Sequence, residues 1–513
     1  MPARAERADS VPRLRETEWV IPVLLFLVGL TLYTSTLAPT VMWGDDALLQ
    51  IAAIAGELQA SAGSHPAWVA VAHIFTRLPL GETAYRVNLV SAVSAAVALP
   101  LIYYMQRLLA ISPIGATLAV ASYAVSHTFW VHAVRPEVYA MTVATSTALV
   151  VCALKWRQSA KVWQLGLIGL MFGLAFSTHV LVLLYLPALV WLLIVQRTKL
   201  SVRGWAFLLG GMLVTMTPLF VLLARDALSY AMDPGALLRW ALFTYTGHDF
   251  SSQFLRFSVR TAGADASQWA VYLGYQFVGL ALILGLAGLA ASWRRLPRSL
   301  WVFVFLLYLV PALFAFSYQV GDRFVFFLPS YLAVTVWIGF GADAMVDTWS
   351  RFVLAPAIRR LLTAGLLALL VVLPVVVYRL TPDVMEDLGI RFRDDRRVPG
   401  PNGRYFLLWP PKNGYYDARD FAEGALAAVQ PNGIMLADPI LAAPMRFLQQ
   451  VEGVRPDVSV HDCCQDAAEV LATSGERPVA LADVAPDIYP IVLLQEKYEI
   501  VPAPPIYVLT QRQ

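Results

Sequence analysis

The chain has 513 residues, of which 58% are hydrophobic and only 14% are charged. Soluble domains carry about 25% charged residues, so this composition excludes the soluble globular classes and indicates a membrane protein. The net charge is only +3, and the basic residues are spread through loops rather than gathered on one face, so we expect no nucleic acid partner.

Apolar segments of about 20 residues follow one another between Trp19 and Leu380, and each is long enough to cross a bilayer as a helix. We therefore predict an α-helical polytopic membrane protein whose transmembrane domain, residues 19–380, has about eleven spans. The predicted spans are 19–37, 86–108, 113–132, 137–154, 162–178, 180–196, 204–224, 269–292, 299–317, 325–346 and 358–380.

The short loops alternate between several Lys and Arg residues and isolated arginines such as Arg135 and Arg323. Because loops rich in Lys and Arg stay on the cytoplasmic side, we place residues 1–18 in the cytoplasm. An odd number of spans then places residues 381–513 outside, as an extracytoplasmic domain. The longer outer loops are 38–85 and 225–268.

The C-terminal part alternates between helix-like and strand-like patterns, which predicts a small α/β domain. The segment 391–417, rich in charge, Pro and Gly, precedes it and is typical of a linker. The helical patterns are ARDFAEGALAAVQ and APMRFLQQVEG, and the strand patterns are GIMLAD, DVSVHD and PPIYVLTQ.

The first outer loop places two adjacent carboxylates, Asp45 and Asp46, directly after the first span, and an amphipathic stretch follows them. A carboxylate at the membrane boundary suits an enzyme of lipid-linked substrates, because it can take a proton from an acceptor hydroxyl. Either residue could instead cap the following helix, where Asn would serve as well as Asp. We favour catalysis for Asp45 and the cap for Asp46.

A second cluster of ionisable groups joins the third and fourth spans and includes Arg135 and Glu137. Ionisable groups at a helix mouth in a membrane protein tend to be functional. The Arg135 guanidinium fits phosphate oxygens in a fork. Glu137, which follows Pro136, fits a site or the start of a helix equally well.

Further candidates are weaker. His179, at the turn between the fifth and sixth spans, fits a structural role better than a ligand role, and Asp322 and Arg323 fit a local pair or a lipid-phosphate contact. His248 and Asp249 are possible acceptor groups. No metal-ligand motif is present, so we predict no metal site and leave any cofactor open.

These residues resemble a known family, the protein O-mannosyltransferase-like membrane proteins, which has bacterial members. That family looks like the GT-C class of polyprenyl-phosphate-sugar-dependent glycosyltransferases. The matching stretches are Gly44-Asp45, His65-Pro66, 84–91, 129–139, 173–179, Asp322 with 326–329, and 447–458.

The resemblance implies an enzyme of the bacterial inner membrane that works among membrane lipids. It would transfer a sugar, mannose by family analogy, from a polyprenyl phosphate to a protein or glycan hydroxyl at the outer face. By this resemblance Asp45 takes the position of the first-loop acid, and we predict that it is the catalytic base. We further predict that Arg135 and Arg323 bind the donor phosphate, and that Asp46, His65, Arg86, Asn88, Glu137, His179 and Asp322 shape the site.

Two departures from the family pattern lie in the first loop. The family usually reads Gly-Asp-Ser-Gly-Glu where this chain has Gly44-Asp45-Asp46-Ala47-Leu48, and His65-Pro66 is not followed by Pro-Gly. They leave open another sugar or acceptor, or a non-catalytic assembly factor. A flippase of lipid-linked sugars is the other alternative. The sequence shows neither inverted repeats nor helices broken at the midplane, and its charged residues cluster outside, which favours the enzyme.

Overall fold

The computed structural model describes residues 19–511, apart from 61–62, 230, 246–255, 257, 259, 353–354, 390–402, 464–466, 476 and 487. The candidate acceptor groups His248 and Asp249 lie outside the described residues.

The regular elements of the apolar part of the chain are helices throughout its described residues. Short 3-10 helices at Val180–Tyr185, Arg197–Lys199 and Arg323–Phe327 join some of its α-helices. The α-helices are α1 (Val20–Ser35), α2 (Asp45–Ala55), α3 (Pro66–Phe75), α4 (Thr83–Leu108), α5 (Pro113–Ala124), α6 (His127–Ala133), α7 (Tyr139–Ser159), α8 (Trp163–Thr178), α9 (Leu186–Val195), α10 (Val202–Ser229), α11 (Pro234–Tyr245), α12 (Ala262–Gln276), α13 (Leu280–Arg295), α14 (Arg298–Ser317), α15 (Leu328–Phe352) and α16 (Pro356–Asp387).

All eleven predicted spans coincide with these helices. Among the described residues, six helices are long and apolar enough to cross a membrane, or eight if each of two bent pairs is one span. The remaining three predicted spans, at α1, α8 and Val180–Val195, are helices of 10–17 residues. Two predictions were wrong in detail, because neither span is one straight helix. In 113–132, α5 and α6 meet at 65°, and in 269–292, α12 and α13 meet at 107°.

The bundle has a centre and a rim. An apolar stretch of 18 residues in the helical segment that contains α15 is 89% buried. The corresponding stretch of α10 is 11% buried and leaves apolar side chains facing outward, as lipid contact requires. Helix α13 approaches α15 closely through Gly288 and Gly341, where an added Cβ atom would overlap the facing backbone carbonyl oxygen. Small residues let membrane helices pack at such short distances.

The C-terminal part forms the predicted small α/β domain, which we call the C-terminal domain. Its five-stranded sheet has the order β2-β1-β3-β5-β4, in which β2, β1 and β3 are parallel and β5 runs antiparallel to both neighbours. The predicted helices and strands are confirmed as α18, α19, β1, β2 and β5. The elements are α17 (Gly403–Leu408), α18 (Asp417–Ala428), β1 (Ile434–Ala437), α19 (Pro439–Glu452), β2 (Ser459–Asp462), α20 (Ala467–Thr473), β3 (Val479–Leu481), α21 (Ile491–Lys497), β4 (Tyr498–Ala503) and β5 (Ile506–Gln511).

The C-terminal domain shares a hydrophobic core with the first loop. Val41, Met42 and Trp43 are buried in the same cluster as Phe421 and Leu441. Helix α2 packs against α19 on one side and against α3 and α4 on the other. The first loop therefore lies between the helical bundle and the C-terminal domain.

Candidate active site

A cleft with about 690 Å³ of empty volume, partly open to solvent, lies where the first loop, the α6–α7 connection and the C-terminal domain meet. Five of the residues that line the cleft are charged, and the C-terminal domain contributes apolar ones. The lining residues are Trp43, Gly44, Asp45, Asp46, His132, Arg135, Glu137, Gly321, Asp322, Phe324, Val325, Phe406, Leu407 and Ile440.

The adjacent carboxylates Asp45 and Asp46 have opposite surroundings. Gly44 precedes α2 with φ of +54° and ψ of −128°, a conformation in which a side chain would be strained. Asp45 is exposed and accepts no hydrogen bond from the residues that the structure describes, whereas the Asp46 side chain is 1% exposed. The predicted Asp46 cap was wrong, because Gly44 is the N-cap and the Asp46 carboxylate pairs with an arginine.

That arginine is Arg135. Its Nε donates to Asp46 Oδ2 at 2.8 Å, and its Nη2 donates to Asp46 Oδ1 at 3.0 Å. Burial opposes the charge, but Asp46 and Glu137 outweigh it and raise the pKa of Arg135. No hydrogen bond between described residues uses Nη1, so one end of the guanidinium is left for a ligand in the cleft.

Glu137 lies just before α7, with its Oε1 3.4 Å from Arg135 Nη2 and 3.9 Å from His132 Nδ1. Burial, and next the charge of Asp46, raise the pKa of Glu137 well above 4.5. The His132 side chain is 4% exposed, and neither ring nitrogen has a hydrogen-bond partner among the described residues. Glu137, which is partly exposed, and the buried Asp46 thus form a carboxylate pair that shares one arginine.

Arg323 does not reach the cleft. Its side chain is buried, its Nη1 donates to Asp265 at 2.8 Å, and its Nη2 donates to Gln268. Asp322, beside it, does line the cleft. This position argues against the predicted phosphate contact of Arg323, because both of its terminal nitrogens are already engaged.

His65 and His179 stack on each other with ring centroids 4.8 Å apart, outside the cleft lining. His65 Nδ1 is 3.0 Å from the Thr178 carbonyl oxygen, and the Leu181 amide donates to His179 Nδ1 at 3.1 Å. Burial lowers the pKa of His65 to about 4, although the Thr178 carbonyl and Asp45 oppose this. The two rings therefore support the wall beside the cleft.

Arg86 and Asn88 also lie outside the cleft lining. Arg86 donates to the Thr76 carbonyl oxygen at 2.6 Å and so joins the end of α3 to the start of α4. Asn88 donates to the carbonyl oxygens of Ala38 and Thr40 at 2.9 and 3.2 Å. Both side chains shape the site indirectly, by holding the backbone of the first loop.

Sequence reasoning missed the C-terminal contribution to the cleft. Phe406 lies under Arg135, with the guanidinium carbon 4.7 Å from the ring centroid, and Leu407 and Ile440 complete the wall. A second, mostly apolar pocket of about 460 Å³ adjoins the cleft and shares Phe324 and Leu407 with it. An apolar residue in a linker-like sequence gives no local signal of such a role.

The described residues contain no group of three or more His, Cys, Asp or Glu side chains placed to hold a metal ion.

Two solved structures share this fold. Both are ArnT from Cupriavidus metallidurans, one in the apo state (TM-score 0.52, 17% identity) and one bound to undecaprenyl phosphate (TM-score 0.51, 15% identity). Each comparison covers 96% of this chain and 98% of the ArnT chain. The protein is therefore a polytopic helical membrane protein with a GT-C glycosyltransferase fold, which confirms the predicted fold class.

The sequence comparisons find relatives of one kind. The family model described as the N-terminal domain of protein O-mannosyl-transferase TMEM260 matches residues 52–202. Mouse protein O-mannosyl-transferase TMEM260 is 24% identical in an alignment 477 residues long, which covers 86% of this chain and 62% of the mouse protein. The chain is therefore similar in sequence to protein O-mannosyl-transferase TMEM260, which confirms the predicted resemblance.

Proposed function

We propose that the protein transfers a sugar, mannose by analogy with its mouse relative, from a polyprenyl phosphate to a hydroxyl group of a protein or glycan. The observation that carries the proposal is the contrast between the two carboxylates of residues 44–46, which we call the acidic turn. Asp45 is exposed in the cleft and has no hydrogen-bond partner among the described residues, while its neighbour Asp46 is buried in an ion pair. A carboxylate that is free to accept a proton is what a base requires.

In the proposed reaction the acceptor hydroxyl gives its proton to the Asp45 carboxylate. Its oxygen attacks the anomeric carbon of the sugar, and the bond from that carbon to the phosphate oxygen breaks. The polyprenyl phosphate leaves with the bonding electrons, so one displacement inverts the anomeric centre. The leaving group is already a phosphate and needs charge stabilisation more than protonation.

Arg135 would stabilise the charge of the leaving phosphate through Nη1, which takes part in no hydrogen bond between described residues. The cleft also carries the carboxyl groups of Asp45, Asp46, Glu137 and Asp322, which would repel an anionic donor. The raised pKa of Glu137 favours its protonated form and so reduces this repulsion. The adjoining apolar pocket, lined by Tyr272, Tyr275 and Phe324 among others, suits the isoprenoid chain of the donor.

The direct test is to incubate the purified protein with a polyprenyl-phosphate sugar and a hydroxyl acceptor, and to measure release of the lipid phosphate. We expect release that grows with time and needs the acceptor. Passage of the donor across a vesicle membrane without release would instead indicate a flippase. A folded protein that neither cleaves nor moves any donor would contradict the proposal and favour an assembly factor.

We further propose that the site faces the outside of a bacterial inner membrane, with residues 1–18 in the cytoplasm. The alternation of Lys and Arg between loops supports this orientation. A reporter that is active only in the cytoplasm, fused after Gln513, should be silent. Strong activity of that fusion would place the C-terminal domain and the cleft on the cytoplasmic side.

A further inference from the structure

The segment between α1 and α2, residues 36–44, ends directly before the proposed base, Asp45. It contacts the C-terminal domain at its start, in its middle and at its end. At its start, the Lys412 amide donates to the Thr36 carbonyl oxygen at 2.8 Å. In its middle, Arg419 Nη1 donates to the Thr40 hydroxyl at 3.1 Å. These contacts join positions nearly 400 residues apart in the sequence.

Two further hydrogen bonds to the C-terminal domain lie beside the acidic turn. Trp43 Nε1 donates to the Tyr415 hydroxyl at 2.8 Å, and both side chains are buried. The Gly44 amide donates to the Ile440 carbonyl oxygen at 3.2 Å. Since Asp45 follows Gly44 directly, the C-terminal domain holds the backbone from which the Asp45 side chain projects.

The helical bundle holds the same segment from the other side. Asn88 on α4 donates to the carbonyl oxygens of Ala38 and Thr40, and the Met42 amide donates to the Gln50 side chain at 3.3 Å. Gln50 in turn donates to Asn88 at 2.8 Å. The segment is therefore fixed only when both the bundle and the C-terminal domain are in place.

We propose that the C-terminal domain is part of the catalytic centre, because it positions Asp45 through segment 36–44, with Tyr415 as a positioning residue. Tyr415 acts through the Trp43 indole, which also packs on Phe421 with ring centroids 5.6 Å apart. The kinetic part of this inference depends on the proposed function. Its geometric part does not.

Tyr415→Phe in the full-length protein tests the proposal, because it removes one hydroxyl and keeps the ring. Tyr405→Phe is the matched control: it loses a hydroxyl that contacts Arg379 at 2.9 Å and Asp383, both on α16 and away from segment 36–44. Both variants remove a hydrogen bond between the C-terminal domain and the rest of the chain. Only Tyr415→Phe removes one to segment 36–44.

We expect Tyr415→Phe to lower kcat roughly ten- to hundredfold, the scale of a small misplacement of a catalytic group. KM for the polyprenyl-phosphate sugar should stay within about twofold, because the donor pocket is intact. Trp43→Phe should have the same effect, and the double variant should be no worse than either single one. Tyr405→Phe should keep the parent kcat.

Hydrogen exchange of peptides covering residues 36–50 gives a readout that needs no activity. We expect faster exchange in Tyr415→Phe than in the parent and in Tyr405→Phe. Parent exchange and parent kcat in Tyr415→Phe would overturn the inference. If the parent itself transfers no sugar, the proposed function fails, and the exchange comparison alone still decides whether the C-terminal domain holds the turn.

Discussion

The pairs Arg135–Asp46 and Arg323–Asp265 both lie near helix ends, but they differ in which guanidinium nitrogens they leave without a hydrogen bond. Arg135 uses Nε and Nη2 on Asp46, and the pair lines the cleft. Arg323 uses Nη1 on Asp265 and Nη2 on Gln268, and it lies outside the cleft lining. The comparison teaches that a partner need not occupy the whole guanidinium: Arg135 keeps Nη1 out of hydrogen bonds with the described residues, whereas both terminal nitrogens of Arg323 are engaged.

Between the two arginine–aspartate pairs, the largest expected effect is the difference between Arg135→Lys and Arg323→Lys. Lysine keeps the charge but cannot contact Asp46 and a phosphate in the same fork. We expect Arg135→Lys to slow release of the lipid phosphate at least about tenfold, since a charge-assisted hydrogen bond contributes about 1.5–3 kcal/mol.

Arg323→Lys is the control, because it makes the same change in a buried pair outside the cleft. It should lower the unfolding temperature while the transfer rate per folded protein stays within about threefold of the parent. Equal losses of transfer rate in Arg135→Lys and Arg323→Lys would show that the two arginines do not differ in their role in the reaction.

Asp46→Asn should have a smaller effect on rate and a clear effect on stability. Asparagine was expected to be harmless at a helix cap, but Asp46 pairs with Arg135 in the structure. The substitution leaves Arg135 with less compensation, and we expect a loss of about 1–3 kcal/mol in the free energy of unfolding. Denaturant unfolding of parent and variant measures it, and parent stability in Asp46→Asn would show that the pair contributes nothing.

The sequence predicted much of the fold because hydropathy and periodicity are local properties. The eleven apolar segments and five elements of the C-terminal domain, from α18 to β5, lie where the patterns placed them. The bend between α12 and α13 was missed, although Gly279, with φ of +60°, stands at the corner. A single glycine within an apolar run does not announce a turn of this size.

The site was predictable only in part. Asp45, Arg135, Glu137 and Asp322, which line the cleft, were candidates from the sequence because charge at a helix end is conspicuous. The partners were not, because the contacts of Asp46 with Arg135 and of Trp43 with Tyr415 join residues 89 and 372 positions apart. No local pattern records such distances.

The smallest expected effect is the pH dependence caused by Glu137. Its pKa is raised in the folded protein, so its contribution to stability is complete below pH 4.5 and is lost as the pH rises toward the folded pKa. The loss is at most about 1.4 kcal/mol per pH unit. Unfolding temperatures measured upward from pH 4.5 should fall for the parent relative to Glu137→Gln, and parallel curves would show that Glu137 does not titrate in this window.

The central claim is that the exposed carboxylate of the acidic turn is the base, and Asp45→Asn tests it most directly. Asparagine is nearly isosteric and cannot accept the proton, so the fold and the Arg135–Asp46 pair should survive. We expect the rate of sugar transfer to fall about a hundredfold or more, the scale of a general base, with unchanged unfolding temperature. Transfer at the parent rate by Asp45→Asn would contradict the account.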